Sequence, residues 1–168
     1  MGNNFIDYNL FDYCVIRKLN TSELRFRDAC LARGFSVIKS DRSADMHEHW
    51  DFKVNDSLVD VKGLKRVSRH DNSYSADLTW VEFKNVRGNK GWLECCADYI
   101  AFEQLNYFLI VSRKDLLDYC IKFVSKEKVS SPKDAFYKMY SRKGRSDVIS
   151  LISLKKLKEK IKYWVLVF

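Results

Sequence analysis

Residues 49–62 carry the pattern that most constrains the fold of this chain, namely two alternating arms separated by a two-residue polar segment. Apolar and polar side chains alternate along each arm, and this period of two predicts β-strands with one face toward a core. A short polar segment between two such arms predicts a β-hairpin. The residues expected to face the core are Trp50, Phe52, Val54, Val59 and Val61, and those expected on the opposite face are Asp51, Lys53, Asp60 and Lys62.

The two aspartates of the hairpin are expected to lie directly opposite each other. A two-residue turn at positions 55 and 56 pairs Asp51 with Asp60, and such a pair has its Cβ atoms roughly 4.5–5.5 Å apart. Two carboxylates at this distance repel each other, and a divalent cation between them would remove that cost. Oxygen ligands suit Mg²⁺, and Lys62 projects from the same face. The hairpin therefore predicts a site for Mg²⁺ or Mn²⁺.

This arrangement resembles the active site of the PD-(D/E)xK nuclease superfamily, in which an Asp on one strand and a (D/E)-x-K triplet on the next hold metal at the scissile phosphate. Asp51 matches the first acid, and Asp60 and Lys62 match the triplet, while Trp50 replaces the usual proline. The resemblance implies that both aspartates bind the metal together with the carbonyl of Val61, and that Lys62 stabilises the transition state. The implied fold is an α/β domain with a restriction-endonuclease-like core, a central mixed β-sheet flanked by helices.

Glu23 is open to three interpretations. Residues 20–33 have the spacing of a helix that ends at Gly34. With Asn20 as the N-cap, Glu23 stands at capping-box spacing, and Arg27 is placed for an i,i+4 ion pair with it. In members of the resembled family, including archaeal Holliday junction resolvases, a glutamate of the first helix reaches the metal site. The resemblance thus makes Glu23 a candidate catalytic residue and metal ligand.

A second triplet of the same form occupies residues 82–84. Its acid, Glu82, would use Asp60 as the first acid, with Lys84 as the lysine, and strand alternation permits this choice. The pairing of Asp51 with Asp60 favours the earlier triplet. Glu82 is then expected to be an exposed strand residue or a contact behind the site.

Segments farther along the chain extend the resemblance. Residues 80–85, 91–93 and 97–102 resemble the corresponding part of small phage-type and bacterial relatives, so the resemblance runs from about residue 23 to about residue 113. His47 and His49 precede the hairpin, but loop histidines without cysteine partners are a weak metal signal. They are more simply exposed loop residues.

The distribution of charge points to a polyanionic partner. Residues 1–112 carry 15 basic and 16 acidic side chains, whereas residues 113–168 carry 15 basic and 6 acidic ones. A basic region of this kind is typical of a surface for nucleic acid, although it also occurs as a solvated lysine-rich face. DNA is the expected partner, with RNA a weaker alternative. The candidate contacts with the phosphate backbone are Lys65, Arg66, Arg69, Arg142, Lys143 and Arg145.

Composition narrows the class of protein. The chain of 168 residues predicts a single domain, with a core over about residues 20–125 and a basic C-terminal extension over about 126–168. No apolar run reaches about 18 residues, and the N-terminus lacks a signal-peptide pattern, so no membrane partner is expected. Five cysteines form no CxxC motif, which predicts reduced, buried thiols and a cytoplasmic protein, with a phage protein in the host cytoplasm as one form of it.

These observations predict a metal-dependent endonuclease that hydrolyses DNA phosphodiester bonds. The alternative is a non-catalytic nucleic-acid-binding or protein-inhibiting module on the same fold. The resemblance also suggests a homodimer, because members that cut both strands dimerise. Residues 5–19 are compatible with a helix or a strand, and the helix is favoured. The pattern predicts strands at 35–38, 78–85, 98–103, 107–112 and 148–152, and a buried strand at 164–168. It also predicts a helical turn at 92–96, a helix at 113–124 and a short basic helix at 154–161, whereas residues 126–145 are weakly patterned.

Overall fold

The computed structural model of the chain describes residues 21–41, 43, 48–65 and 74–168. Within this part the chain is an α/β protein, which confirms the predicted class. Several predicted features lie outside the described residues, namely the helix within residues 5–19 and the residues Asn20, His47, Arg66 and Arg69.

The first described helix, α1 (Ser22–Leu31), begins one residue later than predicted. Its N-cap is Thr21, whose hydroxyl accepts a hydrogen bond from the Leu24 N–H at 3.3 Å. The predicted N-cap at Asn20 is therefore wrong, and Glu23 does not stand at capping-box spacing. The helix ends before Gly34, whose positive φ of 76° is the left-handed conformation that favours glycine.

Two further α-helices each begin at the residue that directly follows a strand. Helix α2 (Arg113–Phe123) agrees with the predicted helix at 113–124, and α3 (Leu154–Lys158) forms the start of the predicted basic helix. Each is capped by a serine, Ser112 and Ser153 respectively, whose hydroxyl accepts a backbone N–H of the first turn. Two 3-10 turns, Trp92–Glu94 and Pro132–Asp134, are also present.

Six strands form the first sheet, in the order β1-β2-β3-β5-β6-β10. The β3–β5 pair is parallel and the other pairs are antiparallel, so this sheet is mixed. Its strands are β1 (Val37–Lys39), β2 (Phe52–Val54), β3 (Ser57–Lys62), β5 (Tyr99–Glu103), β6 (Tyr107–Ser112) and β10 (Tyr163–Val167).

The other strands form a separate mixed sheet of four, in the order β4-β9-β8-β7. The prediction of one central sheet is wrong in this respect, because β4 pairs with β9 and not with the hairpin. Periodicity reveals which residues form strands but does not specify their partners. The strands are β4 (Leu78–Lys84), β7 (Ser125–Val129), β8 (Lys138–Tyr140) and β9 (Val148–Ser153).

Apolar side chains cover both faces of the first sheet. On one face Phe26 of α1 packs with Phe52, Val61 and Phe108 of the sheet. On the other face a larger cluster joins the first sheet to the second sheet, α2 and α3. Asp60 and Lys62 of β3 thus lie on the face that meets the second sheet, since they are paired with Ile100 and Phe102 of that larger cluster.

The last strand differs from its prediction. Residues 164–168 were expected to form a buried strand, but β10 lies at the edge of the first sheet, where it pairs with β6 alone among the described strands. Leu166 is buried, whereas Trp164 is 47% exposed. A continuous apolar run does not distinguish an edge strand from a central one.

The cysteines agree in part with the prediction of reduced, buried thiols. The four cysteines in the described part of the chain are free thiols, and three of them are buried, while Cys96 is exposed. None of the helices that the structure describes is both long and apolar enough to cross a membrane.

Candidate active site

The hairpin has the predicted register. Phe52 pairs with Val59 and Val54 pairs with Ser57, around the two-residue turn. Asp51 lies one position before the first paired residue, and its N–H donates to the Val59 carbonyl at 2.9 Å. Because this bond is offset from the register by one residue, Asp51 has left the regular ladder at the open end of the hairpin, and the predicted direct pairing of Asp51 with Asp60 is wrong.

Beyond the last backbone pair of the hairpin, the Asp51 side chain forms a hydrogen bond with β3. Its Oδ2 accepts a hydrogen bond from the Val61 N–H at 2.7 Å. The carboxylate is buried, which raises its pKa above the ordinary value, although the Val61 N–H opposes this shift. The sequence predicts that Asp51 faces away from the apolar side chains of the hairpin. In the structure its side chain is buried and is not exposed to solvent.

Asp60 is buried beside Lys62. The Lys62 Nζ lies 2.7 Å from Asp60 Oδ2, yet that oxygen has no hydrogen-bond partner of acceptable geometry among the described residues. Burial raises the pKa of Asp60 to about 7, against the lowering effect of Lys62, and the neighbouring Asp51 carboxylate raises it further. The two aspartates and Lys62 are therefore brought together as the sequence predicts.

An aromatic ring supports the lysine. The Lys62 Nζ lies 4.8 Å from the centroid of the Trp92 ring, a cation–π contact. Trp92 reaches this position because Gly91 packs directly on β4, where an added Cβ would lie 2.2 Å from the Glu82 carbonyl oxygen. A larger residue at position 91 would displace the turn that carries the tryptophan.

Glu23 reaches the site through a second lysine. The Lys39 Nζ lies 2.6 Å from Glu23 Oε2 and 3.7 Å from Asp51 Oδ1. The charge of Glu23 contributes to the raised pKa of Asp51, after burial as the largest cause. The structure thus places Glu23 beside the predicted acids, with Lys39 between it and Asp51, while Arg27 instead pairs with Asp28.

The rival triplet lies on the second sheet and only its acid approaches the site. Burial raises the pKa of Glu82, while the charges of Lys62, Arg142 and His49 lower it. Glu82 is half-buried, and Lys84 is exposed at the end of β4 beyond an irregularity in its pairing with β9. Glu82 is therefore a neighbour of Lys62, as expected for a contact behind the site.

Arg142, one of the predicted phosphate contacts, is held by a buried carboxylate. The Arg142 Nε bonds the buried Asp147 carboxylate, whose other oxygen accepts the Arg142 N–H at 3.0 Å. Lys143 and Arg145 are exposed on the turn around Gly144, and Lys65 is exposed just beyond β3. Among these basic residues, Arg142 carries a charge that lowers the pKa of Glu82.

A buried ion pair holds α1 against the end of β3. The Glu103 carboxylate accepts hydrogen bonds from the Arg25 Nε at 2.7 Å, from the Ser22 hydroxyl at 2.7 Å and from the Leu64 N–H at 3.1 Å. Both members of the ion pair are almost fully buried. Because Leu64 follows Lys62 by two residues, this network fixes the strand end that carries the candidate site.

The donor set fits a cation that is held by few protein ligands. Among the described residues, no group of three or more His, Cys, Asp and Glu side chains is arranged to hold a metal. Mg²⁺ commonly uses one or two carboxylates and completes its shell with water and phosphate. Asp51 and Asp60 meet that requirement, and the buried Asp60 Oδ2 without a hydrogen-bond partner is the kind of atom such an ion would satisfy.

Sequence reasoning did not identify Lys39, Trp92 or the Arg25–Glu103 pair. Lys39 and Glu103 lie 16 and 78 residues from their partners Glu23 and Arg25, and no local motif marks such contacts. Trp92 was assigned to a helical turn, but its position under Lys62 depends on the fold of the 85–91 loop. The signals for the site in the sequence were the alternation along both arms of the hairpin and the resemblance of Asp51, Asp60 and Lys62 to a known active site.

Because the pKa of Asp60 is raised in the folded chain, the protein is expected to become less stable as pH rises. The pKa of this carboxyl group is raised from 3.8 to about 7 in the folded chain, so the folded state binds the proton more tightly than the unfolded state. Its contribution is then complete below pH 3.8 and is lost as pH rises toward about 7. Melting temperatures of wild type and Asp60→Asn between pH 4 and pH 8 test this, with the exposed Asp118→Asn as control. The melting temperature of Asp60→Asn minus that of wild type is expected to increase from pH 4 to pH 8. A difference that stays constant over this range would contradict the raised pKa of Asp60.

Comparison of the chain with protein-family models, with curated proteins and with solved structures finds no match. The arrangement of the site itself is therefore the basis for a functional assignment.

Proposed function

We propose that this chain is a metal-dependent nuclease of the PD-(D/E)xK type that hydrolyses phosphodiester bonds in DNA, with a restriction-endonuclease-like core in its first sheet. One observation carries the proposal, namely that the Asp51 and Asp60 carboxylates adjoin at the end of β3 with Lys62 beside them. Burying two carboxylates so close together costs free energy unless a cation neutralises them. A metal ion bound between them would remove this cost.

Each residue then has a separate role. Asp51 and Asp60 would hold Mg²⁺ or Mn²⁺, with the Val61 carbonyl as a further ligand and Glu23 assisting. When bound, the metal would polarise the phosphoryl oxygen and lower the pKa of an attacking water. Lys62 would stabilise the negative charge that develops on the phosphate, and its contact with Trp92 fixes the ammonium in position.

The nucleic acid would contact the basic side chains around the site through its phosphates. Lys65 lies just beyond β3, and Lys143 and Arg145 are exposed on the Gly144 turn. Their contacts would be with the backbone and would not read sequence.

Removing two of these charges is expected to weaken DNA binding. Lys143→Ala combined with Arg145→Ala should lower affinity and reduce the salt dependence, log Kd against log salt, by about two units, one for each phosphate that is no longer neutralised. Fluorescence anisotropy with a duplex oligonucleotide at several salt concentrations measures this. The control is Lys126→Ala combined with Lys128→Ala, an equal reduction of charge on the β7 strand. An equal effect of both pairs would show that only net charge matters.

The direct test of the activity is incubation of the full chain with supercoiled plasmid in Mg²⁺, in Mn²⁺ and in EDTA. Nicked or linear product with either metal, and none in EDTA, is the expected result. Parallel reactions with single-stranded DNA and single-stranded RNA distinguish a deoxyribonuclease from an RNA-directed enzyme.

One observation favours a second function, a non-catalytic nucleic-acid-binding or protein-inhibiting module on the same fold. Lys39 and Lys62 already lie beside Asp51 and Asp60, so the two acids have counter-charges without a metal. This alternative requires that DNA binding survives EDTA and that no divalent metal yields cleavage.

A further inference from the structure

We propose that Lys39 is the resident counter-ion of the candidate metal site, and that a divalent cation displaces its ammonium group from Asp51 on binding. This inference rests on the proposed function, because it takes Asp51 as a metal ligand. It assigns to Lys39 the role of a positioning residue that sets the affinity of the site for metal.

The two oxygens of Asp51 have different surroundings. Oδ2 accepts the Val61 N–H at 2.7 Å, so the protein backbone already uses it. Oδ1 is the oxygen that faces Lys39, with the Nζ 3.7 Å away. A cation that binds Asp51 through Oδ1 would therefore have to share its position with an ammonium group.

The ammonium group of Lys39 has other partners when it is displaced from Asp51. Its Nζ is already closer to Glu23 Oε2, at 2.6 Å, than to Asp51, and it lies 4.7 Å from the centroid of the Phe52 ring. The side chains of Lys39 and Glu23 are 48% and 44% exposed, so they move at little cost to packing. Glu23 and the ring of Phe52 can retain the lysine after it leaves Asp51.

The inference gives Lys39 and Glu23 opposite effects on metal binding. A positive charge at this distance repels an incoming cation, so its removal should tighten metal binding. Glu23 adds a negative charge beside the same acids, and its removal should weaken metal binding. Lys39→Met keeps most of the side-chain length while removing the charge, and it isolates the first effect.

The experiment is calorimetric titration of the metal-free full chain with MnCl₂, for wild type, Lys39→Met, Lys39→Arg and Lys126→Met. Lys39→Met is expected to bind Mn²⁺ about tenfold more tightly than wild type. Its metal-free melting temperature should also be about 2–4 °C lower, because Asp51 and Glu23 lose their counter-ion. Lys39→Arg, which restores the charge, and the exposed Lys126→Met, which matches the change in net charge, should both stay near wild type.

The outcomes distinguish the inference from the proposed function. Unchanged or weaker Mn²⁺ binding by a folded Lys39→Met, with wild type binding the metal, overturns the role of Lys39 and leaves the metal site in place. An equal gain in Lys126→Met overturns it as well, because the effect would then reflect net charge. Absence of Mn²⁺ binding in every variant overturns both the inference and the proposed metal-dependent activity.

Discussion

Asp60→Asn is expected to reduce metal-dependent DNA cleavage by at least about 10³-fold while the chain stays folded, since loss of a carboxylate ligand removes several kcal/mol of charge stabilisation. Asn has nearly the same shape as Asp but carries no charge. The position is buried, so the substitution removes the ion pair of Asp60 with Lys62, whose Nζ lies 2.7 Å from Asp60 Oδ2, and it also removes the repulsion between Asp60 and Asp51. Initial rates of plasmid nicking in Mg²⁺, with circular dichroism on the same preparations, measure both effects.

Asp56→Asn is the matched control for this variant. Asp56 lies in the turn of the same hairpin and is exposed, so the same chemical change there should leave cleavage near wild type. The expected combination is an inactive Asp60→Asn that melts at or above the wild-type temperature at pH 8, because burial disfavours the charged form of this side chain. Activity of Asp60→Asn at the wild-type rate would remove Asp60 from the site.

Glu103→Ala is expected to have the largest effect on stability. The substitution leaves the buried Arg25 guanidinium without its carboxylate partner, and it also removes the acceptor for the Ser22 hydroxyl and the Leu64 N–H. Breaking a buried ion pair from one side costs about 3–5 kcal/mol. The free energy of unfolding from urea titration should fall by this amount.

An exposed ion pair provides the comparison. Lys90 and Glu94 lie 3.2 Å apart with the lysine side chain 78% exposed, and Glu94→Ala should cost about 0–1 kcal/mol. A reduction of less than about 1 kcal/mol for Glu103→Ala would show that water reaches the Arg25 side chain and that the pair is not truly buried.

The stability effect of Glu103 also bears on the site. Its bond to the Leu64 N–H anchors the chain two residues after Lys62, and its bond to Arg25 anchors the helix that carries Glu23. A weakened network should therefore also impair the position of the candidate catalytic groups. The helix, the third strand and the fifth strand of the chain are joined by these few bonds.

The sequence was most informative where a short segment determines its own structure. The hairpin could be predicted because alternation over 49–62 and a two-residue turn define both the strands and their register over residues 52–59. The approach of Asp51 to Asp60 depends instead on the irregular backbone at Asp51 and on the bond from the Val61 N–H to its side chain. Helix α2 and strand β4 were predicted for the same reason as the hairpin, since each has a clear period over its own length, whereas β6 is recognisable as a short apolar run.

The remaining features depend on contacts between distant segments. The pairing of β4 with β9, the pairing of β10 with β6 and the approach of Glu82 to Lys62 all join residues that are far apart in the sequence. The strands β7 and β8 were not predicted because residues 126–145 are polar and the strands are short. Lys39 could not be recognised either, because an exposed lysine at a strand end is usually only a solvated charge.

The most direct test of the account compares plasmid cleavage in Mg²⁺ and in Mn²⁺ by wild type, Lys62→Ala and Lys84→Ala. Each variant removes the lysine of one (D/E)-x-K triplet, and Lys62 alone of the two lies against Asp60 in the described structure. We expect wild type and Lys84→Ala to nick or linearise the plasmid and Lys62→Ala to leave it intact. Cleavage by Lys62→Ala at the wild-type rate, or loss of cleavage in Lys84→Ala alone, would contradict the assignment of Lys62 to the site.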